Sequence, residues 1–226
     1  MPIPPLLEAQ DLHRSYALAE ARVPALQGVS LTLSKGDFLA VMGPSGCGKS
    51  TLLQLCGAMD RADSGRLHLD GREVSAMDDG ELTRLRRDRI GFVFQFFNLL
   101  PTLTVQENIA LPLLLARAPE KDAFTKVREL AARVGIGHRL DHYPGQISGG
   151  EAQRAALARA VIHEPALLIA DEPTGSLDSH NGQKVLELFQ QLNQDLGIAI
   201  LMATHDAQVA AAARQTLRMK DGRLVA

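Results

Sequence analysis

Apolar and polar positions fall into three regimes along this chain, and their order predicts its architecture. In the front portion, residues 6–12 and 29–33 read as short strands, the second alternating, and Leu67 and Leu69 alternate with polar neighbours before the hairpin dipeptide Asp70-Gly71. This part is predicted to be antiparallel. Between those strands, apolar residues 39–42 form a further strand that runs into a glycine-rich loop, and a helix starts near Thr51. A charged helical segment over residues 81–88 leads into a strand at residues 91–95.

From Phe96 to about Val161 the period changes to that of helices, with Phe124, Val127, Leu130, Ala131 and Val134 on one apolar face. Residues 166–170 then form a run too short and too uniformly apolar for anything but a buried parallel strand. Val185, Leu188, Phe189 and Leu192 mark a helix, residues 198–203 a second buried strand, and residues 214–223 a closing hairpin around Asp221-Gly222. The pattern therefore predicts an α/β chain with a parallel core sheet. Residues 1–95 and 162–226 supply the core and its antiparallel part, and residues 96–161 form an inserted helical lobe.

The glycine-rich loop carries chemistry. Residues 43–51 read GPSGCGKST, the pattern G-x-x-x-x-G-K-[ST] set between a strand and a helix. A helix N-terminus offers unpaired N–H groups and about +0.5 of partial charge to a phosphate, and Gly43, Gly46 and Gly48 let the backbone curl around the anion. Pro44, Ser45, Cys47 and Thr51 complete the cradle. Lys49 is placed to reach β- and γ-phosphates and the Ser50 hydroxyl to ligate Mg²⁺. These features predict a P-loop nucleoside triphosphatase core.

Two further constellations accompany the loop. Asp171 and Glu172 follow the buried strand directly, at the strand end where parallel α/β sheets bind ligands. Asp171 is expected to share the Mg²⁺ with Ser50, and Glu172 to polarise the water that attacks the γ-phosphate. Residues 147–151, ISGGE, precede an alanine-rich, arginine-bearing stretch. Ser148 as an N-cap and Gly149-Gly150 behind it make a second anion-binding helix start, with Glu151 in its first turn.

Composition narrows the partners. Lys plus Arg number 24 against 26 acids, so no basic surplus points to nucleic acid. The most apolar run, residues 109–116, is short and broken by Pro112, well below the roughly 18 to 20 residues of a membrane span. The N-terminus has no basic region followed by an apolar stretch, so a cytoplasmic location is expected. Cys47 and Cys56, the only two cysteines, would lie about 13.5 Å apart along a helix, too far for a disulfide, and are expected as free thiols.

With these elements in this order the chain resembles the nucleotide-binding subunits of ATP-binding cassette (ABC) transporters over about residues 6–224. The Walker A motif is GPSGCGKS, Walker B is LLIAD followed by Glu172, and the signature, usually LSGGQ, is ISGGE. Gln95 matches the Q-loop, residues 176–178 the D-loop with Asp178, and His205 the switch histidine. The resemblance implies ATP and Mg²⁺ as ligands. It also implies a head-to-tail dimer in which residues 148–151 of one copy close on ATP held by the loop of the other. By the same resemblance Tyr16 stacks on adenine, with Tyr143 an alternative, His205 contacts the γ-phosphate, and Gln95 joins Ser50 and Asp171 around the metal.

Residues 94–115, FQFFNLLPTLTVQENIALPLLL, together with HYPGQISGGE and ADEPTGSLD, resemble the branch that holds the macrolide exporters and lipoprotein-releasing ATPases. The resemblance to that branch implies mechanotransmission, ATP closure moving periplasmic parts of a membrane partner. The implied partners are transmembrane permease subunits, expected as separate polypeptides, which would keep the chain on the inner face of the cell membrane. Phe97, Leu99 and Leu100 are expected to contribute to the groove that receives the partner's coupling helix. A cassette that signals to or remodels a membrane or cell-wall partner without transport is the other reading. GTPases are set aside because no guanine-reading N-K-x-D occurs.

Overall fold

The computed structural model describes residues 4–18 and 21–225. Its central sheet has the order β10-β9-β3-β8-β7-β6. β3 (Phe38–Met42), β6 (Ile90–Phe94), β7 (Leu167–Asp171), β8 (Ala199–Thr204) and β9 (Gln215–Lys220) are mutually parallel, while β10 (Arg223–Val225) turns back antiparallel through Asp221-Gly222. Every residue of β8 is buried, as a strand covered on both faces requires.

The uniformly apolar strands still divide their side chains between two cores. Leu39, Val41, Leu167, Ile169, Leu201 and Ala203 face a core shared with helix α1 (Lys49–Cys56) and the antiparallel sheet. Phe38, Leu168, Ala170, Ile200 and Met202 face the opposite core, filled by helices α3 (Val105–Leu115), α4 (Glu120–Arg133), α5 (Gly149–Val161) and α6 (Ser179–Leu196). Period-two alternation thus operates even where no polar residue reveals it.

The antiparallel sheet has the order β2-β1-β4-β5. β1 (Leu7–Leu18) and β2 (Ala21–Leu33) are longer than their apolar cores predict, because register shifts interrupt the alternation at Asp11, whose φ is +50°. Pro24 is accommodated because β2 is an edge strand. β4 (Ser64–Leu69) and β5 (Arg72–Glu73) form the hairpin expected at Asp70-Gly71, and α2 (Asp79–Arg89) follows with a capping box between Asp78 and Glu81.

Between β6 and α5 the lobe is built of α3, α4, short 3-10 turns and irregular segments, and α4 buries Val127, Leu130 and Ala131, with Ala123 fully buried and Phe124 at the margin. α5 starts beside this lobe and ends against the sheet. Its alanines let neighbours approach so closely that a Cβ on Gly91 would lie 2.1 Å from the Ala160 carbonyl oxygen. Asp178 caps α6, Gly197 ends it in the left-handed region, and the short α7 (Ala207–Ala210) follows β8. No helix among the described residues is long and apolar enough to cross a membrane.

Candidate functional site

The site lies where β3, β7 and β8 end. β3 delivers the chain at Met42 into the glycine loop, and Gly48, at φ +105°, starts α1. A side chain there is excluded twice over, since a Cβ would also sit 2.3 Å from the Ala25 carbonyl oxygen. The far hairpin supports the loop from below, Gly222 N donating to the Cys47 carbonyl at 3.0 Å. Cys47 is buried in the loop and Cys56 on α1; both are free thiols, as expected.

Lys49 is only 6% exposed and folds back over its own loop, donating from Nζ to the Gly43 carbonyl at 2.8 Å and the Pro44 carbonyl at 3.1 Å. The same ammonium lies 3.7 Å from Glu172 Oε1. A cation held by neutral carbonyls and one distant carboxylate is available to a stronger anion. Helix α1 meanwhile leaves its first N–H groups without intrahelical partners around the same hollow.

Asp171 and Glu172 leave the end of β7 in different environments. Asp171 Oδ1 is buried and has no hydrogen-bond partner among the described residues. Burial raises the Asp171 pKa most, the Ser50 hydroxyl hydrogen bond opposes it, Glu172 raises it further and Lys49 lowers it. Glu172 has φ +47°, uncommon for a residue with a side chain. Both its carboxylate oxygens lie 3.0 Å from His205 Nδ1. A carboxylate oxygen accepts, so Nδ1 is the donor in this pair and Nε2 is left free to face outward. His205 itself is mostly exposed.

Gln95 stands at the end of β6, next to Asp171 through the Phe94–Asp171 pairing. Its carbonyl accepts from Ser176 Oγ at 2.8 Å, and its amide packs on Gly175. Tyr16, on the antiparallel sheet, lines a cavity of about 180 Å³ with Gly46, Gly48, Lys49, Ser50 and Thr51. Tyr143 does not line it. The Tyr16 hydroxyl donates to Asp60 at 3.0 Å, and the Arg14 guanidinium lies 4.9 Å from the ring centroid. Arg14 also pairs with Asp60 at 2.9 Å, so ring and cation are held together.

Ser148, Gly149, Gly150 and Glu151 do not line this cavity. They form the first turn of α5, where Ser148 and Glu151 make a reciprocal capping box. Arg139 Nε donates to Glu151 at 2.8 Å and His138 lies 3.2 Å away. The Arg139 hydrogen bond, then the Ser148 N–H, hold the Glu151 pKa down to about 2. The Glu151 carboxylate is thus turned back into its own chain. Asp178 is similarly occupied as the cap of α6, accepting from the Asn181 backbone N–H at 3.0 Å.

A groove of about 350 Å³ opens on the other side of β6, lined by Phe92, Phe94, Leu111, Pro112, Leu115 and Arg159 among others. Arg159 is fixed there by donating to the Phe97 and Asn98 carbonyls at 2.9 and 2.6 Å. Of the aromatic cluster, Phe96 is the exposed ring, at 73%. Phe97 instead approaches Gly149, and Leu99 packs on the lobe core, while Leu100 stays exposed. The structure thus adds Arg14, Asp60, Arg139 and Arg159 to the candidate residues. Each acts through a long-range pairing that no local pattern signals.

A family model described as ABC transporter matches residues 26–175. The chain is 44% identical over 221 residues to the lipoprotein-releasing system ATP-binding protein LolD of Geobacter metallireducens, covering 98% of each. It is 47% identical over 219 residues to the macrolide export ATP-binding/permease protein MacB of Syntrophobacter fumaroxidans, covering 96% of this chain and 31% of that one. The chain therefore spans about a third of the length of the macrolide export relatives it matches. Among solved structures it superposes at a TM-score of 0.91, with 37% identity and 97% coverage of each chain, on the ATP-binding cassette MJ0796, a dimer in a post-hydrolysis state bound to ADP and Pi.

Proposed function

The chain belongs to the ABC transporter family, and from that premise we propose that it binds and hydrolyses ATP to drive a transmembrane permease of the export or lipoprotein-release kind. The observation that carries this reading is the convergence of Lys49, Glu172 and His205 on the mouth of the glycine loop. Phosphates would take the loop N–H groups and draw the Lys49 ammonium from the Gly43 and Pro44 carbonyls. Glu172 would accept the proton of the attacking water. His205, whose Nδ1–H already steadies Glu172, would face the γ-phosphate with Nε2. Tyr16 would support the adenine, its ring braced by Arg14 and Asp60.

The residues fit a divalent cation. Asp171 supplies a buried carboxylate oxygen without a partner among the described residues, the Ser50 hydroxyl is beside it, and Gln95 ends the neighbouring strand. These three would hold Mg²⁺, which when bound would offset the phosphate charge. Asp171 would be ionised in that state, its burial cost met by the cation.

Residues 148–151 lie outside the cavity of their own chain, which supports a head-to-tail dimer completing each site with the signature turn of the second copy. The solved cassette that this chain superposes on is itself a dimer, which supports pairing of two copies. The groove beside Phe92 and Leu115, with Phe96 and Leu100 exposed near it, would receive the membrane partner and so hold the chain on the inner face of the cell membrane.

Two measurements test the reading. Purified chain should hydrolyse ATP in the presence of Mg²⁺, and a Lys49→Ala variant should lose nucleotide binding. A tagged chain recovered from detergent-solubilised membranes should bring with it a subunit with few spans and a large periplasmic domain. Recovery with a cell-wall or regulatory partner instead would replace transport with signalling, and absence of ATP hydrolysis would overturn the proposal.

A further inference from the structure

Gln153 occupies the second turn of α5 and is completely buried, 0% exposed. Its side-chain amide donates from Nε2 to the Pro173 carbonyl at 2.5 Å, while Oε1 has no partner among the described residues. A carbonyl can only accept, so this bond fixes which way the amide faces. An apolar side chain of similar size would fill the space without leaving a buried oxygen unsatisfied. Packing alone therefore does not account for an amide here.

Pro173 directly follows Glu172, whose left-handed φ of +47° is a conformation that its surroundings must enforce. On its other flanks the Glu172 segment is tied by backbone bonds, Glu172 N donating to the Ala203 carbonyl and Gly175 N to the Glu172 carbonyl, each at 3.0 Å. Ser176 Oγ adds a bond to the Gln95 carbonyl. The Gln153 amide joins this loop to α5, the helix whose first turn is the ISGGE segment.

We propose that Gln153 is a positioning residue for hydrolysis, holding the Pro173 carbonyl so that the Glu172 carboxylate stays aimed at the water it activates. The proposal rests on the ATPase reading above. It also makes α5 a rigid connection between the turn that would meet the second copy's nucleotide and the general base of its own chain.

The test is Gln153→Met in the otherwise unaltered chain, a substitution of similar length that removes the donor and the orphaned oxygen together. Hydrolysis should fall by about tenfold or more, the scale of a misplaced reacting group. ATP affinity and the thermal midpoint without nucleotide should be unchanged, and an ATP-bound dimer should accumulate on gel filtration as it would in Glu172→Gln. A merely structural role would lower the midpoint and weaken the dimer instead. Unchanged turnover, or a loss matched by lost dimer, overturns the proposal, and Gln153→Leu serves the same comparison should the Met variant not fold. If the unaltered chain fails to hydrolyse ATP, or Glu172→Gln turns over normally, the ATPase reading falls and this inference falls with it.

Discussion

His205 Nδ1 lies 3.0 Å from both oxygens of the Glu172 carboxylate, so the two side chains form one hydrogen-bonded unit at the mouth of the glycine loop. Their backbone positions are set by adjacent parallel strands, Asp171 at the end of β7 pairing with Ala203 of β8. The sheet itself therefore sets the two side chains beside each other. Replacing Glu172 with Gln preserves the shape and removes the base. Turnover should fall by about 10²-fold or more, while ATP binding persists and an ATP-bound dimer accumulates. Single-turnover hydrolysis and gel filtration of the same sample check this, and unchanged turnover would remove Glu172 from its assigned role.

Tyr16 offers a ring to the cavity while Asp60 and Arg14 hold it from outside. Tyr16→Ala should weaken ATP binding by about tenfold, since stacking of a base on an aromatic ring is worth about 1–3 kcal/mol. Binding of inorganic tripolyphosphate, which has no base to stack, should hardly change. Tyr16→Phe should bind ATP nearly normally, because it keeps the ring and loses only the Asp60 bond. Calorimetric titration of both ligands separates stacking from a general loosening of the loop, which would weaken both.

Glu151 predicts a pH dependence. Its folded pKa, about 2, lies below the ordinary value of 4.5. A depressed carboxylate pKa contributes stability that is complete above the unfolded value and is lost as pH falls through the folded one. The Glu151→Gln variant should therefore be less stable than the unaltered chain at pH 7, by on the order of 2 kcal/mol. The gap should close as pH is lowered from about 4.5 toward 2. Thermal melts of both chains across that range test it, and a gap independent of pH would mean that the Arg139 pair contributes nothing through charge.

How far the site could be read in advance depended on the distance over which each residue acts. Lys49, Ser50, Asp171 and Ser148 were legible because their neighbours in the chain supply the geometry, a strand end or a helix start within a few residues. Uniformly apolar residues 166–170 likewise declared a buried parallel strand. By contrast, the Tyr16–Asp60 and Gln153–Pro173 bonds join positions 44 and 20 apart, and nothing local distinguishes Gln153 from a surface glutamine on a helix. The lengths of β1 and β2 were hidden for another reason, since the irregularity at Asp11 interrupts the alternation by which strands are recognised. A run of phenylalanines does not say which rings face inward, and of this run it is Phe97 that approaches Gly149. Its φ of +54° takes the chain through a turn that leaves Phe96 outside.

The two cysteines should behave differently toward alkylation. Cys56 is fully buried on α1, and burial pushes its thiol up to about 12, leaving almost no thiolate at neutral pH. Cys47 is also buried, but it belongs to the glycine loop, and its Sγ lies only 2.8 Å from where a Cβ on Gly43 would stand. An added group there has no space within the loop and must displace the backbone that would cradle phosphate. Treatment with N-ethylmaleimide should therefore give a single slow adduct at Cys47, identified by peptide mass spectrometry. ATP binding should be lost in step with that adduct, and prior saturation with ATP should slow its formation, because a loop closed on phosphate opens less often to reagent. If the singly alkylated chain binds ATP normally, the loop does not hold the nucleotide in the way its glycines and Lys49 indicate.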